Sequence, residues 1–155
     1  MGDRLVTFTP YNHAMPDYYA GVNAERRVVA RLTVMGEPKA KERPRAQPGG
    51  KGRSYTPKAT RDAETIIQNA WDALTLPDYP TAGTFRIDVC CYLGTRRHVD
   101  GDNLLKLVKD ALNGRAYDDD WMVHESHIRK FYTTRDRART EIILSLIDPD
   151  REEQT

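Results

Sequence analysis

Apolar positions recur at two different periods along the chain, and each change of period marks an element. Residues 27–35 (RVVARLTVM) are rich in β-branched side chains and predict a first strand. From residue 60 to about 74, Ala63, Ile66, Ile67, Ala70, Trp71 and Leu74 recur three and four apart. That stripe predicts a helix burying one face, with Thr56-Pro57 suited to its start. Over residues 84–93, Phe85, Ile87, Val89 and Cys91 alternate and predict a second strand. Leu104, Leu105, Val108, Ala111 and Leu112 predict a second helix from about Asp102 to Leu112, stopped by Asn113-Gly114. Residues 123–132 and 140–147 predict two strands, paired antiparallel around the charged connection 133–139. The order β-α-β-α-β-β predicts an α/β (α+β) fold, a mixed sheet of about four strands with two main helices.

Between these elements the pattern lapses. Residues 1–25 mix prolines, tyrosines and small polar residues without a period, and read as an irregular arm suited to a dimer contact. Residues 36–57 are loaded with Pro, Gly and basic residues and predict a long loop, a kind of segment that is often functional. The polar tail, 149–155, reads as frayed. This leaves one domain over 26–148, as a chain of 155 residues allows.

Composition fits a small globular protein, with 39% hydrophobic and 30% charged residues. No apolar run approaches the roughly 18–20 residues that span a bilayer, and the N-terminus lacks the apolar core of a secretory signal. The expectation is a cytoplasmic protein with no membrane association. Cys90 and Cys91 are neighbours, so in a strand they point to opposite faces and form neither a useful disulfide nor a shared metal site. They read as small buried hydrophobes. Net charge is only +1, but it is unevenly placed. Residues 36–61 carry eight Lys/Arg against two Glu, and 126–140 five against one Asp. Between them, 100–120 hold six Asp against three cations. Basic flanks around an acidic centre suit a protein that holds a polyanion against a metal.

The acidic centre is the informative stretch. Asp100 and Asp102 stand two apart at a strand-to-helix junction opened by Gly101, and Lys106 lies one helical turn beyond Asp102. Asp118-Asp119-Asp120 follow the helix, where a returning chain would supply a third carboxylate. Two readings stand at this point. In one, an aspartate caps the helix and the triple aspartate is only a turn. In the other, the carboxylates share a cation, because like charges forced together must protonate, pair or bind one. Oxygen ligands favour Mg²⁺ or Mn²⁺ over zinc, and such a site activates water against a phosphodiester. Lys106 would then stabilise charge developing on the phosphate. A calcium loop counted from Asp100 fails, since Leu104, Leu105 and Ala111 fall where its ligands and glycine belong. His124 and His127 would face opposite ways in a strand, which disfavours zinc.

The ordered motifs resemble the RusA-type Holliday junction resolvases common in bacteriophages and prophages. They are Arg96-Arg97-x-x-Asp100-x-Asp102-Asn103-Leu104-x-Lys106, then Asp110-Ala111-Leu112-Asn113-Gly114, then Asp119-Asp120-x-x-Val123. Upstream, Pro38 to Arg45 and Tyr55-Thr56-Pro57 also match phage-type members, and the likeness spans residues 28–147. The resemblance implies a Mg²⁺-dependent homodimer, with Mn²⁺ a substitute, that binds four-way DNA junctions and nicks two strands symmetrically in recombination and repair. It implies that Asp100, Asp102 and Asp120, with Asp119 beside it, are the metal aspartates, and that Lys106 is the essential lysine. Asp110 matches a helix aspartate whose role stays open.

For DNA, Lys39, Lys41, Arg43 and Arg45 alternate, so an extended loop would line them along one side, and Arg96 and Arg97 just precede the acidic pair. Trp121 reads as core, with stacking on a base as the alternative. Two further readings remain: a metal-dependent nuclease for flaps or forks, and a junction-binding protein that does not cut.

Overall fold

The computed structural model describes residues 27–49, 52–76 and 83–147. The N-terminal arm and the tail expected from sequence lie outside the described residues. Strand β1 spans Arg27–Met35, two-residue strands β2 and β3 span Arg45–Ala46 and Ser54–Tyr55, and helix α1 spans Lys58–Asp72. Strand β4 (Phe85–Leu93), helix α2 (Gly101–Leu112), strand β5 (Val123–Tyr132) and strand β6 (Arg139–Leu146) follow among the described residues. The main sheet runs β1-β6-β4-β5, and β2 pairs with β3 in a separate two-strand ladder. That ladder lies inside the expected loop, where two residues per strand leave no periodicity to read.

The first helix begins two residues earlier than its apolar stripe suggests. Pro57 takes the position before the first turn with φ −55°, and the helix closes where the Ala73 N–H donates to the Asn69 carbonyl and the Leu74 N–H to the Trp71 carbonyl. Thr75, at φ 51°, then turns the chain away. Both helices pack on one face of the sheet. Ile67, Ala70 and Trp71 of α1 and Leu104, Leu107, Val108 and Ala111 of α2 meet Ile87, Val89, Ile142 and Leu144 there.

The last two strands do not form the expected hairpin. β5 pairs parallel with β4, and β6 inserts between β4 and β1, antiparallel to both. Side-chain exposure explains the choice. Along β5, His124, Ser126, Lys130 and Tyr132 are exposed, as an edge strand tolerates. Along β6, Ile142, Ile143, Leu144 and Ser145 are buried in succession, the mark of a strand covered on both faces. The unit β4-α2-β5 is thus a parallel crossover, and the 133–138 connection carries the chain across the end of β4.

β4 is buried on both faces as well, including Arg86 and Asp88. The two pair side by side: Arg86 Nε and Nη2 each donate to one Asp88 carboxylate oxygen at 2.7 Å, and Nη1 donates to Glu125 at 3.1 Å. Cys90 and Cys91 are buried as expected. Burial pushes the Cys91 thiol up to about 12, so it stays protonated and acts as packing.

Candidate active site

Asp100 is the N-cap of α2. Its Oδ1 accepts from the Asp102 backbone N–H at 2.9 Å, and its Oδ2 accepts from the Asn103 side-chain amide at 3.3 Å. The capping reading is therefore correct for Asp100, but it does not bury the group: Asp100 and Asp102 are both exposed. Lys106 is exposed one turn along the same helix face. The start of α2 is fixed against β5, where Lys130 Nζ donates to the Val99 carbonyl at 2.7 Å.

The triple aspartate takes up the far end of α2. After Leu112 the chain turns through Gly114 at φ 72°, and the Gly114 N–H donates to the Tyr117 carbonyl at 2.8 Å. Tyr117 is fully buried, with its hydroxyl donating to the Lys109 carbonyl at 2.9 Å and its ring 5.9 Å from that of Phe85. Asp119 then caps a 3-10 turn over Asp120–Met122, accepting from the Asp120 N–H at 2.7 Å. Met122 is buried and anchors this turn. Trp121 is 71% exposed, so the core reading of this residue is corrected. The turn admits one apolar side chain to the core, and Met122 takes the place.

Parallel pairing decides the distance between the two acidic groups. Val123 lies beside Phe85 at the start of β4, whereas Gly101 faces Ile128 and Lys130 farther along β5. At about 3.3 Å per residue, this sets Asp119 and Asp120 roughly 15–20 Å from Asp100 and Asp102. Among the described residues, no three His, Cys, Asp or Glu come close enough to hold a metal. Within one chain, the first turn of α2 brings together Asp100, Asp102 and Lys106, and the triple aspartate follows the other end of that helix. The pair itself fits part of the shell of a hard cation. Its donors are all oxygen and open to solvent, and Mg²⁺ commonly takes one or two carboxylates and keeps water on its other positions.

The basic loop also differs from a simple row of cations. Lys39 and Arg43 are exposed, and Arg45 is exposed but bonded to Glu42 at 3.0 Å. Lys41 turns inward. Its backbone N–H donates to the Asn103 carbonyl at 2.9 Å, and its ammonium bonds Glu64 of α1 at 3.0 Å and Asp110 of α2. Burial works to lower the Lys41 pKa, but the bonds to Asp110 and Glu64 outweigh it and hold the group above the ordinary lysine value. Asp110, open in the sequence, is thus an anchor for the loop. Glu64 had no signal in the sequence, since an acid on a polar helix face is ordinary. Before the acidic pair, Arg97 is exposed and the Arg96 guanidinium lies 5.6 Å from the centroid of the Tyr132 ring.

No helix among the described residues is long and apolar enough to cross a membrane. No curated protein matches the chain significantly. A family model, Endodeoxyribonuclease RusA, matches residues 35–145. The match takes in the basic loop, both helices, the acidic pair, Lys106 and the triple aspartate, which is well over half of the chain. Nucleases of this type generally depend on a divalent metal and act on Holliday junctions. The chain belongs to the RusA family of endodeoxyribonucleases, hydrolases that cut within DNA.

Proposed function

We propose that this protein is a Mg²⁺-dependent homodimer that resolves four-way DNA junctions by paired, symmetric nicks in recombination and repair, in the cytoplasm of a bacterial cell. The observation that carries the reading is the presentation of Asp100 and Asp102, exposed, on the first turn of α2 with Lys106 one turn beyond, inside the matched segment. Asp100 and Asp102 would hold the metal, which when bound supplies an activated water and neutralises phosphate charge. The capping bonds fix the Asp100 carboxylate before any metal arrives, so little reorganisation is needed. Lys106, an exposed ammonium on that face, neutralises charge on the phosphate being cut.

Asp119 and Asp120 complete the donor set only from a second copy of the chain, because α2 separates them from the pair in their own. That separation supports a dimer whose two sites are made jointly, an arrangement suited to two nicks in one complex.

The test is incubation of an end-labelled four-way junction with the wild type, in Mg²⁺ and in EDTA. Symmetric nicks on opposing strands in Mg²⁺, absent in EDTA, are expected. Cleavage of flaps or forks with the junction left intact would move the assignment to another branched substrate. Junction binding without cutting in either Mg²⁺ or Mn²⁺ would remove the nuclease mechanism.

The loop predicts a division among its cations. Lys39→Gln and Arg43→Gln should each flatten the dependence of log affinity on log salt by about 1, as loss of one phosphate contact does. Lys41→Gln should leave that slope at the wild-type value and lower the unfolding midpoint instead, because Lys41 is bonded to Glu64 and Asp110. Binding titrations at several salt concentrations decide this; an equal flattening by Lys41→Gln would mean that it leaves its anchor for DNA.

A further inference from the structure

The end of the sheet where α2 begins carries a second group of residues suited to DNA. The Thr133 N–H donates to the Leu93 carbonyl at 2.8 Å, and a Cβ on Gly94 would lie 2.8 Å from the Cα of Arg135. Glycine is thus what lets the turn after β4 and the 133–138 connection lie side by side. Lys130 fastens the same turn through Val99. As a result Arg96, Arg97, Lys130, Arg135 and Arg137, all exposed, share one end of the sheet with Asp100 and Asp102. Two acids stand nearby and reduce this charge without cancelling the five cations. Glu37 accepts from the Gly94 N–H and the Thr95 hydroxyl, both at 2.9 Å. Asp136 is exposed, its carboxyl held below the usual range by the Thr134 side chain.

Within these cations stands one flat apolar ring. Tyr132 ends β5 and is 56% exposed, with the Arg96 guanidinium over the ring. The other exposed large hydrophobics among the described residues, Tyr55 and Trp121, belong to other segments, so the ring is not part of an apolar patch. A protein partner would bury a contiguous apolar area. A single aromatic ring among guanidinium groups instead matches a nucleobase with its flanking phosphates.

Resting on the nuclease reading, we propose that Tyr132 is a stacking platform for an unpaired base of branched DNA, with Arg135 and Arg137 holding the neighbouring phosphates. A junction has bases at its branch point that can leave the stack, and a platform at the acidic end of the sheet would fix the strand that passes Asp100 and Asp102. Sequence reading missed the site. Arg96 and Arg97 were legible beside the acidic pair, but Lys130, Arg135 and Arg137 were visible only as a charge balance, and Tyr132 closes a strand where an aromatic residue is ordinary.

The experiment measures binding of four-way junctions in EDTA, so that nothing is cut. Tyr132→Ala should weaken binding about tenfold with the salt slope unchanged, and Tyr132→Phe should keep wild-type affinity. Arg135→Gln and Arg137→Gln should each flatten the slope by about 1. A set of junctions, each with one abasic site near the branch point, identifies the base. At one position the abasic site should weaken the wild type as Tyr132→Ala does, and the two changes together should lose no more than either alone. Additive losses at every position, Tyr132→Ala within twofold of wild type, or equal losses in Tyr132→Phe and Tyr132→Ala would each overturn the proposal. A wild type that still cuts junctions under those outcomes keeps the nuclease reading, whereas one that neither binds nor cuts them overturns both.

Discussion

Asp102→Asn is expected to reduce junction cleavage by roughly a thousand-fold or more while junction binding and the melting temperature stay near wild type. The magnitude follows from the several kcal/mol that a bound metal contributes to phosphate-ester hydrolysis, at about 1.4 kcal/mol per tenfold in rate. The selectivity follows from the cap. Asp102 takes part in it through its backbone N–H, which donates to Asp100, and not through its carboxylate. The substitution removes a charge from an exposed side chain and leaves the helix start intact. Single-turnover cleavage, with binding followed in parallel, makes the measurement. A loss of less than tenfold would mean that Asp102 is not a ligand and that the acidic pair serves the helix alone.

Arg86→Met is expected to lower stability by about 3–5 kcal/mol, the range for breaking a buried ion pair from one side. For a chain of this size that is a melting point about 10 °C lower. The reason lies on β4, where Arg86 and Asp88 have side-chain exposures of 5% and 7% and the guanidinium bonds both carboxylate oxygens. Without it, the Asp88 carboxyl loses both of its guanidinium bonds in a strand buried on both faces. The double variant Arg86→Met/Asp88→Leu should recover most of the loss, because the charge left behind is gone too. Urea unfolding of the wild type and the two variants tests both statements. A single variant within 1 kcal/mol of wild type would show that Asp88 finds another partner or that water reaches it.

These two residues also mark what sequence reading can and cannot find. Asp102 stands in a motif of fixed spacing, so its candidacy is legible from the order of residues alone. Arg86 and Asp88 look like the outward positions of a half-exposed strand, because alternation along β4 gives no hint that its second face is buried as well. The same limit reversed the pairing of the last two strands. Consecutive strands with a short connection favour a hairpin, and only the competition for the centre of the sheet places the Ile142–Leu144 run between β4 and β1. Lys41 illustrates it in a loop. Its place in an alternating basic row says nothing of Glu64 and Asp110, which are 23 and 69 residues away.

Local signals in the sequence specify the types of the four main strands and two main helices, the bounds of α2 to within a residue, the long basic segment, and the family to which the acidic pair and Lys106 belong. These depend on signals that act over a few residues: apolar period, caps, stops and motif spacing. The tertiary structure alone decided that the two acidic groups lie at opposite ends of α2, that Lys41 is an anchor, that Trp121 faces solvent, and that Tyr132 stands among arginines beside the acidic pair. Each of these follows from which strands become neighbours and in which direction they run. That choice is set by burial summed over the whole chain, and no local window contains it.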